Sequence, residues 1–415
     1  MKLILINIGQ LVTVASGGAR VKTGASMRDP GLVEEAAVII EDDLITWTGP
    51  MSALSMSRLA GEANIVDCMG RVVLPGFVDA HTHTLFAGDR AKEFGLRSAG
   101  ASYQEIAEAG GGILSTVREV RTAAKKELKK QARHYLAGML RHGTTTVEIK
   151  SGYGLSPDDE LKMMEAINEL RDEELITIVP TFLGAHAIPP EFAGDVRGYV
   201  DLLVTRMIPY IGSKQLAQFC DVFCEKGYFS VEDARKILLR AKEFGMGAKL
   251  HAEELTPLGG AVLAGELRAV SADHLEHVDE AGIRSLAAAG TVAVLLPGVS
   301  FFLRHPYAPA RTLIDAGIPT ALATDFNPGS CMSYDMPMMM TIACTQMGMS
   351  PEEAITASTL NAAAALGMSD RIGSIEPGKK ADLILLNIPD YHILAYHFGE
   401  NHIGKVVKNG VILEV

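Results

Sequence analysis

The stretch LPGFVDAHTH (residues 74–83) decides the fold, because it holds an apolar run that ends in Asp79 and is followed by two histidines. Short β-prone runs of this kind recur along the middle of the chain. They are GTTTVEIKS (143–151), TIVPTFLGAH (177–186), FCDVFCE (219–225), MGAKLHAEE (246–254), AVSADHLEH (269–277), TVAVLLPG (291–298) and IPTALATDF (318–326). Helical patterns separate them, and strands that alternate with helices are typical of parallel βα units. The pattern predicts an α/β protein with a closed eight-stranded barrel.

The C-terminal ends of the predicted strands carry polar side chains. These ends are His81, Lys150, His186, Glu225, His251, His274, Pro297 and Asp325. In a closed parallel barrel, functional side chains gather at this end because the βα loops there surround the mouth. Four histidines and an aspartate at the ends of five strands therefore predict a functional site at the mouth.

The two ends of the chain differ from its middle. Both consist of short apolar runs between turn residues, with Asp42-Asp43 and Asn409-Gly410 as hairpin signals. The first run superficially resembles a signal peptide, but its alternation is typical of a strand. We predict a small β-sandwich-like domain built from residues 1–68 and 370–415, and a catalytic (β/α)8 TIM barrel built from residues 69–369.

The composition limits the classes of partner. Hydrophobic residues make up 48% of the chain and charged residues 21%, as in soluble globular proteins. The net charge of -12 and the lack of a long basic run argue against nucleic acid or an anionic membrane as partner. Five scattered cysteines argue against a disulfide framework. We expect a cytoplasmic protein that binds a small molecule and forms a homodimer, the common default.

His81 and His83 are the first candidate metal ligands. Residues two apart on a strand point to the same side, so both imidazoles can face one ion. His251 and Asp325 would complete three nitrogens and one carboxylate, and would leave a position for water, as in catalytic sites. A metal ion there would lower the pKa of that water towards neutrality. Histidines can also be ordinary hydrogen-bonded residues, and we assign only that role to His134, His142, His305, His392, His397 and His402.

Longer motifs resemble the amidohydrolase superfamily. They are VDAHTH (78–83), the histidines of strands five and six, TDFNPG (324–329) and IEPGKKADLILLN (375–387). More specifically, a set of segments resembles the imidazolonepropionase family. It comprises HTHTLFAGDRAKEF (81–94), EIKSGYGL (148–155), FLGAHAIP (182–189), HAEELTPLGGAVLAGEL (251–267), ADHLEH (272–277) and ATDFNPGS (323–330). The resemblance covers the whole chain.

This resemblance implies an activity and a cofactor. Enzymes of that family hydrolyse the cyclic amide C–N bond of 4-imidazolone-5-propanoate to give N-formimidoyl-L-glutamate in histidine degradation. The implied cofactor is one metal ion, zinc or iron, with His81, His83, His251 and Asp325 as ligands. The implied catalytic residues are Glu254, His274 and Asp325. The implied substrate-binding residues are Arg90, Tyr103, Tyr153, His186, Glu254, Asn327, Gly329 and Ser330.

The residues themselves leave alternatives open. Arg90 offers a planar two-donor cation for a carboxylate, but it could form a surface ion pair with Glu93. Glu253 rivals Glu254 as acid/base, because strand alternation would place Glu253 on the side of His251. Tyr153 lies in a flexible loop from which it can reach the mouth or merely pack. Lys226, after strand four, leaves open a second metal ion bridged by a carbamylated lysine.

An alternative function is an aminohydrolase (deaminase) that acts on a nitrogen heterocycle. The same metal ligands, glutamate and strand-six histidine would serve it equally well, but its products would include ammonia. A non-catalytic scaffold would usually have lost some ligands, and all four are present here.

Overall fold

The computed structural model describes residues 2–55, 62–100 and 111–414. The strands are β1 Lys2–Val12, β2 Leu32–Glu41, β3 Leu44–Pro50, β4 Asn64–Asp67, β5 Val72–Pro75, β6 Phe77–Asp79, β7 Thr144–Lys150, β8 Thr177–Ala185, β9 Phe219–Cys224, β10 Gly247–Ala252, β11 Ser271–His274, β12 Val292–Leu295, β13 Thr320–Leu322, β14 Leu383–Leu386, β15 Ile403–Lys408 and β16 Val411–Glu414. The α-helices are α1 Ala91–Ser98, α2 Ile113–Thr122, α3 Lys125–Arg141, α4 Pro157–Glu173, α5 Val196–Leu202, α6 Ile208–Ser213, α7 Val231–Glu243, α8 Gly260–Glu266, α9 Glu280–Ala289, α10 Pro297–Leu303, α11 Ala310–Asp315, α12 Met336–Gln346, α13 Pro351–Ala357, α14 Leu360–Ala365 and α15 Ile393–Tyr396. Short 3-10 turns cover Gly24–Arg28, Met51–Ala53 and Pro190–Phe192, and a π turn covers Leu203–Met207.

The middle of the chain forms a barrel of eight parallel strands, ordered from β6 to β13 as in the sequence. These are the eight runs predicted above. The first and last strands meet where they end. The backbone N–H of Asp325 donates to the carbonyl of His81 at 3.0 Å. The Asp79 carboxylate accepts from the backbone N–H and the hydroxyl of Thr324, at 3.0 and 2.6 Å. The predicted (β/α)8 fold is confirmed.

Serine caps begin three of the helices that surround the barrel. Ser156, Ser230 and Ser350 each accept a hydrogen bond from the backbone N–H three residues later, at 3.2, 3.2 and 3.3 Å. Such a bond pairs one of the N–H groups that a helix start leaves without a partner. The caps fix where α4, α7 and α13 begin, and therefore the lengths of the loops before them.

Both termini contribute to one mixed sheet of eight strands. Its order is β16-β15-β14-β5-β1-β2-β3, with β4 paired to β1. The two predicted hairpins are present: Asp42-Asp43 joins β2 to β3, and Asn409-Gly410 joins β15 to β16. Asn409 and Gly410 have φ of 50° and 77°, as a two-residue hairpin turn of type I′ requires.

The terminal sheet encloses its own small core. Ile45 of β3 and Val407 of β15 lie in one buried cluster, although their strands stand near opposite ends of the sheet order. The backbone N–H of Ala381 also donates to the carbonyl of Asp43 at 2.8 Å. The sheet thus brings its ends together in a sandwich-like manner, and the predicted β domain from both termini is confirmed.

The junction between the sheet and the barrel is short. Strand β5, within the segment that we assigned to the barrel, pairs with β1 and β14 of the terminal sheet, and β6 begins only two residues after it ends. The domain limits of 68/69 and 369/370 remain a prediction. In the described part of the chain, no helix is both long and apolar enough to span a membrane.

Candidate active site

Three histidines and one aspartate meet at the C-terminal mouth of the barrel. His81 and His83 follow β6, His251 lies near the end of β10, and Asp325 follows β13. Each histidine offers a ring nitrogen within 4.8 Å of the other two. Asp325 Oδ1 lies 3.4 Å from His81 Nε2 and 3.3 Å from His83 Nε2. The structure therefore brings the four predicted metal ligands to one point.

The cluster contains buried atoms that need a partner. His81 Nε2, His251 Nε2 and Asp325 Oδ1 are buried without a hydrogen-bond partner among the described residues. Such atoms are costly in a folded protein unless something pairs with them. Burial lowers the pKa of His81, and it lowers that of His251 to about 4, so both imidazoles are neutral at pH 7, the form that binds metal. The donor set fits a divalent metal ion.

A layer of carboxylates orients these imidazoles. His81 Nδ1 lies 2.6 Å from Asp273 Oδ2, and His251 Nδ1 lies 3.0 Å from Asp221 Oδ2. Lys150 Nζ stands between the two aspartates, at 3.5 Å from Asp273 and 2.7 Å from Asp221. Since Nδ1 of both rings faces a carboxylate, Nε2 is the nitrogen left for a metal. Sequence reasoning missed both aspartates: Asp221 is the acidic residue inside an otherwise apolar strand, and Asp273 directly precedes His274.

The two adjacent glutamates after β10 point to different surroundings. The Glu253 carboxylate accepts hydrogen bonds from the backbone N–H groups of Gly259 and Ala261, both at 2.8 Å, and so holds the start of α8. Glu254 lines a cavity, and its Oε2 lies 3.6 Å from Nε2 of His274. The geometry favours Glu254 as the carboxyl group that faces a substrate.

Glu254 and His274 affect each other's pKa. Burial raises the pKa of Glu254 to about 7. Burial alone would lower the pKa of His274, but the carboxylates of Glu254 and Glu276 raise it to about 10. A carboxyl group with a pKa near 7 can take up and release a proton at neutral pH. A charged imidazole beside it can donate a hydrogen bond to a developing negative charge.

Tyr153 and His186 form an aromatic wall. The His186 ring stacks on the ring of His83, with centroids 4.8 Å apart and 16° between the planes, and Tyr153 lies 5.4 Å from His186. The prediction that Tyr153 lies in a flexible loop is wrong. Its side chain is buried, and the Glu160 carboxylate accepts hydrogen bonds from three backbone N–H groups of residues 152–155, at 2.8 to 3.1 Å. A buried carboxylate therefore fixes this loop.

Arg90 lines the cavity and is paired with Glu93 at the same time. Its Nε and Nη2 both lie 2.8 Å from Glu93 Oε2. The ion pair with Glu93 that the sequence left open is therefore present, and it lies on the cavity wall, while binding of a carboxylate by Arg90 stays a prediction. Nη1 faces Gly329, where an added Cβ would lie only 2.1 Å from it. Glycine at this position lets the guanidinium occupy its place.

The turn after β13 holds Asp325. Asn327 Nδ2 donates to Asp325 Oδ2 at 3.0 Å and to the Ser330 hydroxyl at 2.6 Å. Asn327 Oδ1 accepts from the backbone N–H groups of Gly329 and Ser330, at 2.7 and 2.8 Å. One amide side chain thus links the carboxylate of the histidine–aspartate cluster to the turn that borders the cavity.

These groups share one cavity of about 600 Å³. The predicted substrate-binding residues that line it are Arg90, Tyr153, His186, Glu254, Asn327, Gly329 and Ser330. Tyr103 lies outside the described residues. The lining residues that sequence reasoning missed are Glu93, Arg97, Ile113, Phe223, Tyr228, Leu255, Leu303 and His305. His305, for which we predicted only an ordinary role, is among them, and that prediction is not tested by its place on the wall. Lys226 is exposed, which favours a single metal ion.

Comparisons with known proteins agree with this architecture. The sequence pattern of the Amidohydrolase family matches residues 72–413. A protein from Symbiobacterium thermophilum named imidazolonepropionase is 48% identical over 99% of this chain and 97% of its own length. One of the same name from Porphyromonas gingivalis is 47% identical over 100% of this chain and 97% of its own length.

The solved structures include an adenosine deaminase from Xanthomonas campestris with bound zinc. It matches with a TM-score of 0.72 over 100% of this chain and 93% of its own, but is 20% identical, so the likeness shows the fold alone. The family match and the relatives that align over nearly the full length decide the family to which the chain belongs. The chain therefore belongs to the amidohydrolase family, and within it to the group of the imidazolonepropionases.

Proposed function

We propose that this chain is an imidazolonepropionase, which hydrolyses 4-imidazolone-5-propanoate to N-formimidoyl-L-glutamate in histidine degradation. The observation that carries the proposal is that one cavity joins the histidine–aspartate cluster, the Glu254–His274 pair and Arg90. A cyclic amide with a propionate tail needs these three elements: activation of water, proton transfer and a cation for the carboxylate. The relatives of that name support the assignment over nearly the whole chain.

We assign the metal ligands to His81, His83, His251 and Asp325. Zinc and iron both suit three imidazoles and a carboxylate. When bound, either ion supplies Lewis acidity and lowers the pKa of a water molecule. Asp221 and Asp273 keep the two imidazoles that they touch in the orientation that presents Nε2.

The proton steps belong to Glu254 and His274. Glu254 takes a proton from the attacking water while the water oxygen forms its bond to the ring carbonyl carbon. His274 donates a hydrogen bond to the carbonyl oxygen as negative charge develops there. Glu254 then gives its proton to the ring nitrogen as the C–N bond breaks, which leaves an N–H group and a carboxylic acid, and the acid becomes a carboxylate by releasing its proton to solvent.

The substrate is placed by the remaining predicted contacts. Arg90 binds the propionate, and the aromatic wall of Tyr153 and His186 packs against the ring. Asn327, Gly329 and Ser330 border the cavity, and we keep Tyr103 as a further contact. The homodimer and the cytoplasmic location remain predictions from the sequence.

The test is a paired assay on metal-loaded protein with 4-imidazolone-5-propanoate. The ultraviolet absorbance of the substrate and the release of ammonia are followed together. We expect ring opening without ammonia. Absence of turnover, together with ammonia release from other nitrogen heterocycles, would move the function to the deaminase alternative.

A further inference from the structure

The cavity wall carries a second arginine that the function described so far does not use. Arg97, on α1, lines the cavity, and its guanidinium forms no hydrogen bond and no ion pair within 4 Å with the described residues. Aromatic rings hold it instead. Its Cζ lies 4.9 Å from the centre of the Phe302 ring and 6.0 Å from that of Phe94, and these rings stack 5.1 Å apart. Cation–π contacts position the guanidinium without using its N–H donors.

The neighbouring charges show what Arg97 adds. Arg90 already gives two donors to Glu93, so this pair carries no net charge. The same Glu93 carboxylate also accepts from the backbone N–H of Gly112 at 3.1 Å and from the hydroxyl of Ser115 at 3.2 Å, which anchors the pair to α2. Glu93 also acts on Arg97 by its charge, but among the described residues no carboxylate forms a direct ion pair with Arg97.

Electrostatics favour an anion at this place. Burial lowers the pKa of Arg97, and the positive charge of Arg90 lowers it further, against the smaller opposite effect of the Glu93 carboxylate. An anion between the two guanidinium groups would relieve that repulsion. The chain as a whole has a net charge of -12, so an anionic substrate depends on local cations to enter.

We propose that Arg97 binds the carboxylate tail of the substrate together with Arg90 and makes the cavity specific for an anionic side chain. This inference rests on the proposed function, because that function supplies a substrate with a propionate tail. Arg90 fixes one side of the carboxylate through its rigid pair with Glu93, and Arg97 contributes a positive charge that no described carboxylate pairs directly.

The test compares wild type, R97M and R97K on two compounds. The first is 4-imidazolone-5-propanoate, and the second is the same ring with a neutral propionamide tail. For R97M we expect KM for the carboxylate to rise about 10- to 100-fold, as for loss of a charge-assisted contact, with kcat nearly unchanged. KM for the amide should not change, and R97K should retain part of the affinity. R284M is the matched control, since the Arg284 side chain is 71% exposed on α9.

Binding measurements separate this inference from the proposed function. An imidazole that bears a propionate, titrated calorimetrically, reports anion recognition without turnover. Tighter binding to wild type than to R97M supports the role of Arg97 even if no ring opening is seen. If wild type and R97M bound the propionate with equal affinity, or if R97M lost as much for the neutral amide as for the carboxylate, the inference would be overturned. Ring opening by the wild type would still support the proposed function in that case.

Discussion

At the scale of single residues, Glu253 and Glu254 show how one step along the chain changes the surroundings of a carboxylate. Glu253 has a φ of 53°, in the left-handed region, and this turns the chain out of the strand alternation. Its carboxylate binds the backbone of the following loop, whereas Glu254 faces His274 and the cavity. The alternation rule would have placed Glu253 instead of Glu254 at the cavity, because it assumes that the strand continues beyond Ala252, where it ends.

The variants E254Q and E253Q should therefore fail in different ways. We expect E254Q to lower kcat about 10²- to 10⁴-fold, the usual effect of losing a general acid/base, with metal content unchanged. E253Q should keep kcat within about tenfold but lower the melting temperature, because it weakens two backbone contacts. Steady-state kinetics, metal analysis and thermal unfolding measure these effects. A large loss of kcat in E253Q with a normal E254Q would reverse the assignment.

At the scale of elements, α4 supports the active site through one buried side chain. Its first turn carries Glu160, whose carboxylate binds the backbone of the loop that presents Tyr153. In E160Q, the side-chain NH₂ group would face backbone N–H donors that now donate to a carboxylate oxygen of Glu160. We expect KM to rise about tenfold with a smaller change in kcat, since substrate positioning suffers more than proton transfer.

The matched control lies on the same helix. S156A removes the N-cap of α4 and should lower the free energy of unfolding by about 1 kcal/mol without a change in KM. If S156A raised KM as much as E160Q does, the effect would come from the stability of the helix. Tyr153 would then not depend on the Glu160 contacts.

Glu353 makes a pH-dependent contribution where α13 meets two other segments. Its carboxylate is fully buried and accepts from Arg311 Nη1 at 2.9 Å, from Arg28 Nε at 3.0 Å and from the backbone N–H of Ser350 at 2.9 Å. Burial alone would raise its pKa, but these hydrogen bonds lower it below the usual value. A depressed folded-state pKa gives stability that is present above the unfolded pKa and is lost as pH falls through the folded pKa.

E353Q should therefore lower the free energy of unfolding by about 2 kcal/mol at pH 7, because both arginines lose a charged partner. The difference from wild type should persist to pH 5 and begin to shrink below about pH 4.3, the ordinary pKa of a glutamate in an unfolded chain, and it should be lost as pH falls through the lower folded-state pKa. Urea unfolding at a series of pH values measures it. E280Q, with a side chain that is 90% exposed, is the control and should stay within about 0.5 kcal/mol. A difference that did not vary with pH would contradict the role of charge.

The elements themselves could largely be predicted from the sequence. Each barrel strand is an apolar run bounded by turn residues, so its type and its C-terminal end follow from local composition. The convergence of His81, His251 and Asp325 also followed, because strand ends of a closed barrel share one mouth. Arg97 could not be found in this way. Its position depends on how α1 and α10 meet, which no local pattern records.

At the scale of the whole molecule, the barrel and the terminal sheet share buried contacts. Leu74, Ile384 and Val406 of the sheet belong to the large core cluster that also contains the barrel strands. Lys408 Nζ donates to Asp382 Oδ2 at 2.6 Å within the sheet and to the Thr177 hydroxyl of β8 at 2.8 Å. Both charged side chains are almost fully buried. The two parts should therefore unfold together, although both termini build the sheet.

The variant K408M tests this coupling. It leaves Asp382 as an unpaired buried charge, so we expect it to lower the free energy of unfolding by about 3 kcal/mol. The double variant D382N/K408M should recover much of this loss, because no charge then remains unpaired. Trp47 is the single tryptophan of the chain and lies on β3, so its fluorescence reports the terminal sheet. Far-UV circular dichroism mainly reports the helices, nearly all of which surround the barrel.

The two signals should change at the same denaturant concentration in wild type and should shift together in K408M, since coincident transitions are expected of one cooperative unit. If the fluorescence changed first, the terminal sheet would unfold as a separate domain. The shared core would then contribute less to the free energy of unfolding than its burial implies. The barrel would be stable without the terminal sheet. A coincident shift would instead make the integrity of the terminal sheet a condition for the closed barrel, and hence for the strand ends that carry His81 and Asp325.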